Sequence, residues 1–240
     1  MQIYFDNLNM SEYFEPLKEN PDRSFVYTAV ATEREARIED HPFFEASKNS
    51  REAMILWTSQ EAIVTNPFSQ ILFQLMSNVK NVHVRSILIP VVGGEHSKVK
   101  EGTASKSHPW LIWKLCRSLG IEAKDIKPTK AIVDFIKILS DASENPMYGL
   151  GVLGIGNELM LLAEYSAVEK CFDSACPDAD YKGFLHANIE EDEVHSRLIG
   201  DAAAALAELG ADSNEFLRGA RDGVQARVNY YDSLLLEIKK

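Results

Sequence analysis

The sequence predicts an all-α fold, a single-domain bundle of seven or eight helices. Three observations carry that expectation. Apolar residues recur with the helical period over most of the chain, and strand signals are almost absent. Residues that start and stop helices also fall where the periodic segments begin and end. With 240 residues, the chain holds about 1.6 domains of average size, and no internal repeat or low-complexity linker marks a boundary. One domain over residues 1–240 is expected, with residues 1–40 as an N-terminal extension packed on the bundle. An up-and-down arrangement is the base expectation for such helices.

The elements follow in order. A helix opens at Ser50 and runs to about Asn78, with Ala53, Leu56, Trp57, Ala62 and Ile63 among its apolar positions. Pro67 should kink or divide it, because proline lacks the amide that a helix interior uses. Val82–Val92 has the β-branched composition of a strand. Its length and the helical stretches on both sides favour a buried helix ending near Pro90 and Gly93. His108–Leu119 begins with a proline at an early helical position and stops at Gly120, the expected asymmetry of helix ends. Four helices follow, over Thr129 to about Ser140, Met147 to about Cys171, Ala179–Leu209 and Ser213–Lys240. The second of these is apolar and glycine-rich in its first half. The last carries two lysines in its final turn, which suit the helix dipole.

Charge and cysteine usage exclude several classes of partner. Lys and Arg number 25 against 36 Asp and Glu, a formal net charge of −11; such a surface repels phosphate backbones, so no nucleic acid partner is expected. No basic patch hides in the sum, since Lys98, Lys100 and Lys106 alternate with Glu95 and Glu101. Apolar stretches are broken by Gly, Pro or charge before the roughly 18–20 residues of a membrane span, so no membrane is expected. Cys116, Cys171 and Cys176 are odd in number and form no CxxC pair. The N-terminus lacks a basic region followed by an apolar one. Reduced, buried thiols in a cytoplasmic protein are the expectation.

One literal motif is rejected. Gly149, Gly151 and Gly154 spell G-x-G-x-x-G, but a dinucleotide fingerprint needs a strand before it and a βαβ unit around it. Neither is present. With Gly156, these glycines are expected to thin one helix so that another backbone or a ligand comes close.

The informative segment is Phe184–Leu198, FLHANIEEDEVHSRL. At about 100° per residue, Asn188, Glu191, Asp192 and His195 share one side of the helix. A carboxylate three positions before a histidine sets a hard oxygen beside an imidazole, as iron-binding bundles require. His186 lies about 180° away and should face elsewhere. Glu190 and Glu193 point away from His195 and read as solvated charge. Glu101 and His108, seven apart, would return to one face if the segment between them were helical. Glu158 stands beside Asn157 in an otherwise apolar helix, where a carboxylate needs a cation, a hydrogen-bond network or a metal. A ferritin-like site would show two Glu-x-x-His pairs. The residues three before each histidine are Ile38, Lys80, Gly93, Ser105, Gly183 and Asp192, so a ferritin-like arrangement is disfavoured.

From about residue 40 onward, the order of these features resembles the haem-oxygenase-like diiron oxidases, relatives of the TenA and PqqC proteins. HPFFEASKNSREAMILWTSQEA looks like the first core helices of that superfamily. Its diiron members carry Glu-x6-His, a lone Glu on a Gly- or Ala-rich helix, and His-x3-Asp-x2-His. Glu101 and His108 match the first motif and Glu158 the second. Asp192 and His195 match the last two positions of the third. Asn188 stands where the first histidine of the third motif would be. The resemblance therefore implies metal ligation by Glu101, His108, Glu158, Asp192 and His195, with Asn188 a weak donor and Glu191 a possible substitute.

It also implies two iron ions, one of them labile, with O2 as co-substrate. The activity implied is oxidation of a small amino-acid, amine or carboxylate substrate with an external electron donor, by a homodimer. Trp110, Trp113 and Tyr165 could line the cavity, although aromatics on such helices are more often plain core. Two alternatives share the fold: a metal-free TenA-like hydrolase using Cys116 or Cys171, and a non-catalytic binding protein whose metal site has decayed at Asn188.

Overall fold

The computed structural model describes residues 10–96 and 107–239. Two short helices, α1 (Met10–Phe14) and α3 (Pro42–Ser47), flank α2 (Ser24–Ala36). The bundle continues with α4 (Arg51–Asn78), α5 (Val82–Glu95), α6 (His108–Ser118) and α7 (Lys130–Ala142). One unbroken helix then spans Pro146–Ala175. It is α-helical in α8 (Pro146–Leu150) and α9 (Met160–Ala175), and π-helical between them over Gly151–Leu159. Two long helices, α10 (Lys182–Glu208) and α11 (Ser213–Ile238), complete the chain, and there is no strand among the described residues. The all-α bundle expected from periodicity is what the chain forms.

Side-chain caps set many of the starts. Ser50 accepts from the Ala53 amide, Thr129 from Ile132 and Asp212 from Asn214, so each satisfies an amide that the first turn leaves without a partner. Pro67 does not divide its helix, α4, and the helix through Pro90, α5, runs two residues past Gly93 to end at Glu95. Pro90 lies on the exposed side of α5, where water can solvate the carbonyl that proline leaves unpaired. Val84, Leu88, Val91 and Val92 are buried on the other side. That burial outweighs the local stop signals.

A single hydrophobic cluster runs from Phe25 on α2 to Leu234 on α11. The Pro146–Ala175 helix is long and apolar enough to cross a membrane by length and composition, but 72% of its most apolar window is buried inside the bundle. Its glycines allow α11 to approach closely. A Cβ added to Gly156 would lie 2.4 Å from the Gly223 Cα, and one on Gly223 would lie 2.8 Å from the Val152 carbonyl oxygen. Both obstacles are backbone and cannot move aside. The glycine-rich half therefore serves close backbone packing, and no strand precedes it to make a dinucleotide site.

The core also holds an ionic cluster. Arg227 of α11 is fully buried and donates to Glu164 of α9 (Nε to Oε2, 2.7 Å) and to Glu61 of α4 (3.0 and 3.1 Å). Tyr165 and Tyr230 donate to Glu61 at 3.0 and 3.3 Å, and Tyr231 donates to Glu164 at 2.6 Å. The guanidinium also lies 4.9 Å from the Tyr230 ring centroid. Burial pushes the Glu164 carboxyl up, while Arg227 pulls the other way.

Candidate metal centre

Four helices bring acidic and imidazole groups to one place. The end of α5 supplies Glu95, the start of α6 supplies His108, and the π-helical stretch supplies Asn157 and Glu158. From α10 come Asn188, Glu191, Asp192 and His195. His195 Nδ1 lies 3.2 Å from Glu158 Oε2 and 3.7 Å from Asp192 Oδ1. His108 Nδ1 lies 3.3 Å from Glu95 Oε2, and its Nε2 lies 3.4 Å from Glu191 Oε2. Glu191 is half-buried and the other ionisable members are buried. Donor atoms of Glu95, Glu158 and His195 all fall within 4.8 Å of one another.

Gly94 makes this approach possible. A Cβ there would stand 2.2 Å from His195 Nε2 and 2.9 Å from Glu191 Oε2, so only glycine lets α5 lie against the imidazole. The π-helical stretch contributes in another way. Its wider turn is a local departure of the kind that recurs at functional sites, and here it carries Asn157 and Glu158 inward, both buried.

The electrostatics of the group call for cations. Burial opposes the charge on His108, but Glu95 and Glu191 outweigh it and raise its pKa to about 10. Burial likewise opposes charge on His195, and Glu158, Glu95 and Glu191 reverse the balance. Asp192 is driven well up by burial and by the charge of Glu158. Among the described residues, several buried polar atoms nevertheless lack a hydrogen-bond partner: Asn157 Oδ1, Glu158 Oε1 and Asp192 Oδ2. Leaving such atoms unpaired is costly. Metal coordination would satisfy them, and the mixture of carboxylate oxygen and imidazole nitrogen suits a non-haem iron.

A small cavity of about 20 Å³ lies beside the group, lined by Glu61, Glu95, Glu158, Tyr165, Asn188 and Asp192 among others. It has room for one water-sized guest.

Among the residues singled out by sequence, the structure brings together His108, Glu158, Glu191, Asp192 and His195, with Asn188 at the cavity. The Asn188 amide nitrogen donates to the Phe184 carbonyl at 2.7 Å, which leaves the amide oxygen as its remaining lone-pair donor. Glu101 lies outside the described residues. Glu95 was missed, because a helix ending near Gly93 would not carry it to His108. Of the three aromatics weighed as cavity lining or plain core, Tyr165 lines the cavity, whereas Trp110 and Trp113 line a separate open groove of about 670 Å³ between α4, α6 and α7. His186 faces away, paired with Glu169 at 2.8 Å. Glu190 and Glu193 are exposed.

Residues 55–228, which include every residue of this group, match the family model described as iron-containing redox enzyme. The chain belongs to that family. Solved structures agree on the fold of this chain. A CADD-like protein of unknown function from Nostoc punctiforme superposes in two structures, with TM-scores of 0.70 and 0.60. Their sequence identities are 16% and 14%, each covers 90% of this chain, and the match takes in 99% and 96% of theirs. A domain of unknown function with a heme oxygenase-like fold from Shewanella denitrificans matches with a TM-score of 0.65 and 14% identity, over 91% of this chain and 94% of its own. The haem-oxygenase-like fold is thereby established. Comparison with curated proteins finds no significant match.

The raised histidine has a measurable consequence for the metal-free protein. His108 keeps its proton to about pH 10, while the unfolded chain releases it near the ordinary 6.5. Its contribution to stability is therefore complete below the unfolded value and is lost as pH rises through the folded one. The urea midpoint of metal-free protein is expected to fall between about pH 7 and about pH 10, and His108→Gln should flatten that fall. Equal slopes for parent and variant would show that the proton is not held there.

Proposed function

We propose that the protein is a non-haem oxidase or oxygenase that activates dioxygen at a two-iron centre and oxidises a small amino-acid, amine or carboxylate substrate. The observation that carries this reading is the buried Glu95–Glu158–His195 group, whose donor atoms lie within 4.8 Å of one another beside orphaned polar atoms. Glu95, Glu158 and His195 would hold one ion. His108, Glu191 and Asp192 would supply the second, with Glu101 the further ligand that the family resemblance implies. Iron bound by such donors supplies dioxygen binding and redox chemistry at a site that protein groups alone cannot provide.

The chain's own residues do the rest. The cavity of about 20 Å³ beside the buried carboxylates has room only for a small guest. Gly94 lets His195 sit against α5, and Glu158 orients that imidazole through its Nδ1. Asn188 offers a neutral amide where an imidazole would bind more firmly, so one ion is held less tightly.

The alternatives receive less support. A cysteine hydrolase needs a thiolate, yet burial pushes the thiols of Cys116 and Cys171 up to about 11. A decayed binding site would leave several carboxylates buried without a cation.

Loading the protein anaerobically with Fe(II), followed by iron assay and Mössbauer spectroscopy, tests the reading. Two irons per chain are expected, one of them removed first by chelator, and Glu191→Ala should lower the content further. A chain that retains almost no iron after loading would sink the proposal.

A further inference from the structure

The buried aromatic groups between the metal centre and the surface form an unbroken sequence. Tyr165 lines the small cavity with Glu158 and Asp192. Its ring meets Trp57 edge-on with centroids 5.9 Å apart, and the Trp57 indole donates to the Tyr231 hydroxyl at 2.8 Å. Tyr231 in turn lies 5.6 Å from the His41 ring and 4.9 Å from Phe44. His41 and Phe44 line an open surface groove of about 520 Å³, and His41 pairs with the exposed Asp232.

Packing alone does not require hydroxyls here, since phenylalanine would fill the same space without burying a polar group. Both tyrosines of this series nevertheless donate to a buried carboxylate, Tyr165 to Glu61 and Tyr231 to Glu164. Arg227 binds both carboxylates and ties them into one network. A phenol can lose an electron at a moderate potential only if its proton has somewhere to go. Both phenols have such an acceptor.

We propose that Tyr165, Trp57 and Tyr231 form a one-electron relay between the metal centre and the surface at His41. The inference rests on the iron-oxidase reading for its oxidant, a centre oxidised by dioxygen. In the first step Tyr165 gives one electron to that centre and its phenolic proton to Glu61. Trp57 then returns an electron to Tyr165, which recovers its proton from Glu61. Tyr231 reduces the Trp57 radical cation and passes its own proton to Glu164. A small reductant of the thiol or ascorbate class, arriving at the His41 groove, restores Tyr231 with one electron as the proton returns. The net result is one electron moved from reductant to centre, with every side chain regenerated.

Two experiments separate the relay from the iron reading. In the first, metal-free protein carries a ruthenium photo-oxidant on Asp232→Cys; the three native thiols are buried, so labelling is selective. Flash oxidation should produce tyrosyl absorption, because Tyr231 reduces any Trp57 radical cation. Trp57→Phe should leave that absorption in place, and Tyr231→Phe should replace it with tryptophanyl absorption. Circular dichroism verifies folding, and Tyr231→Phe is the milder change if Trp57→Phe disturbs the core. Identical transients in the parent and in folded Tyr231→Phe would overturn the relay.

In the second, Fe(II)-loaded protein is mixed with O2, frozen and examined by EPR. A tyrosyl signal is expected that Tyr165→Phe abolishes and Trp57→Phe prolongs; a signal unaffected by both changes counts against the relay. Failure to take up iron would overturn the oxidase reading instead, leaving the photo-oxidation result to decide the relay.

Discussion

Replacing Gly94 with alanine is expected to strip the protein of iron while leaving the bundle folded. The new methyl group would sit 2.2 Å from His195 Nε2 and 2.5 Å from its Cε1, well inside any tolerable contact. Either the imidazole rotates away from Glu158 or α5 lifts off α10. Overpacking of this kind costs about 1–3 kcal/mol, partly offset by the better helix propensity of alanine, worth about 1 kcal/mol. Net stability should therefore fall by about 0–2 kcal/mol, which leaves the bundle folded. Iron affinity should fall by at least the ~10–100-fold typical of disturbed ligand support. Gly93→Ala is the matched control: nothing lies within 4 Å of its added Cβ, so it should keep iron and gain slightly in stability. Equal iron content in the two variants, with both folded, would show that His195 is not a ligand.

Replacing Arg227 with methionine should produce the largest loss of stability. Arg227 is fully buried between Glu61 and Glu164, so the change leaves two buried carboxylates without their cation. Removing one partner of a buried ion pair costs about 3–5 kcal/mol, whereas replacing a whole buried pair by neutral groups is often much less damaging. Adding Glu61→Gln and Glu164→Gln to Arg227→Met should therefore recover part of the loss, because no buried charge remains. Such a loss is a large share of the ~5–15 kcal/mol that holds a typical domain together. Urea unfolding of parent, single and triple variants measures both effects. A single variant within about 1 kcal/mol of the parent would mean that the cluster is more hydrated than its burial indicates.

The sequence makes some of this site legible and hides the rest for identifiable reasons. Asp192 and His195 stand out because three residues along one helix is a local relation, and Glu158 because a carboxylate in an apolar helix needs a partner. Glu95 is hidden by a competition between scales. Pro90, Gly93 and Gly94 signal a helix end, yet the burial of Val91 and Val92 carries α5 onward to the glutamate. The π-helical turns are invisible because the glycines that permit them fit an ordinary helix equally well. The Glu61–Glu164–Arg227 cluster draws its members from α4, α9 and α11, so no spacing in the sequence betrays it. The bundle itself was readable because periodicity, caps such as Ser50 and Thr129, and the end at Gly120 all agree.

The contact between Gly156 and Gly223 acts mechanically as a rivet. Two residues beyond Gly156 stands Glu158, and one helical turn beyond Gly223 stands Arg227. Because the backbones touch with no side chain between them, neither helix can slide or roll past the other without a clash. The carboxylate at the metal group and the guanidinium of the ionic cluster thus share one rigid frame. Any movement that opens the metal group must come from α5, α6 or α10, the walls of the bundle, and not from its spine.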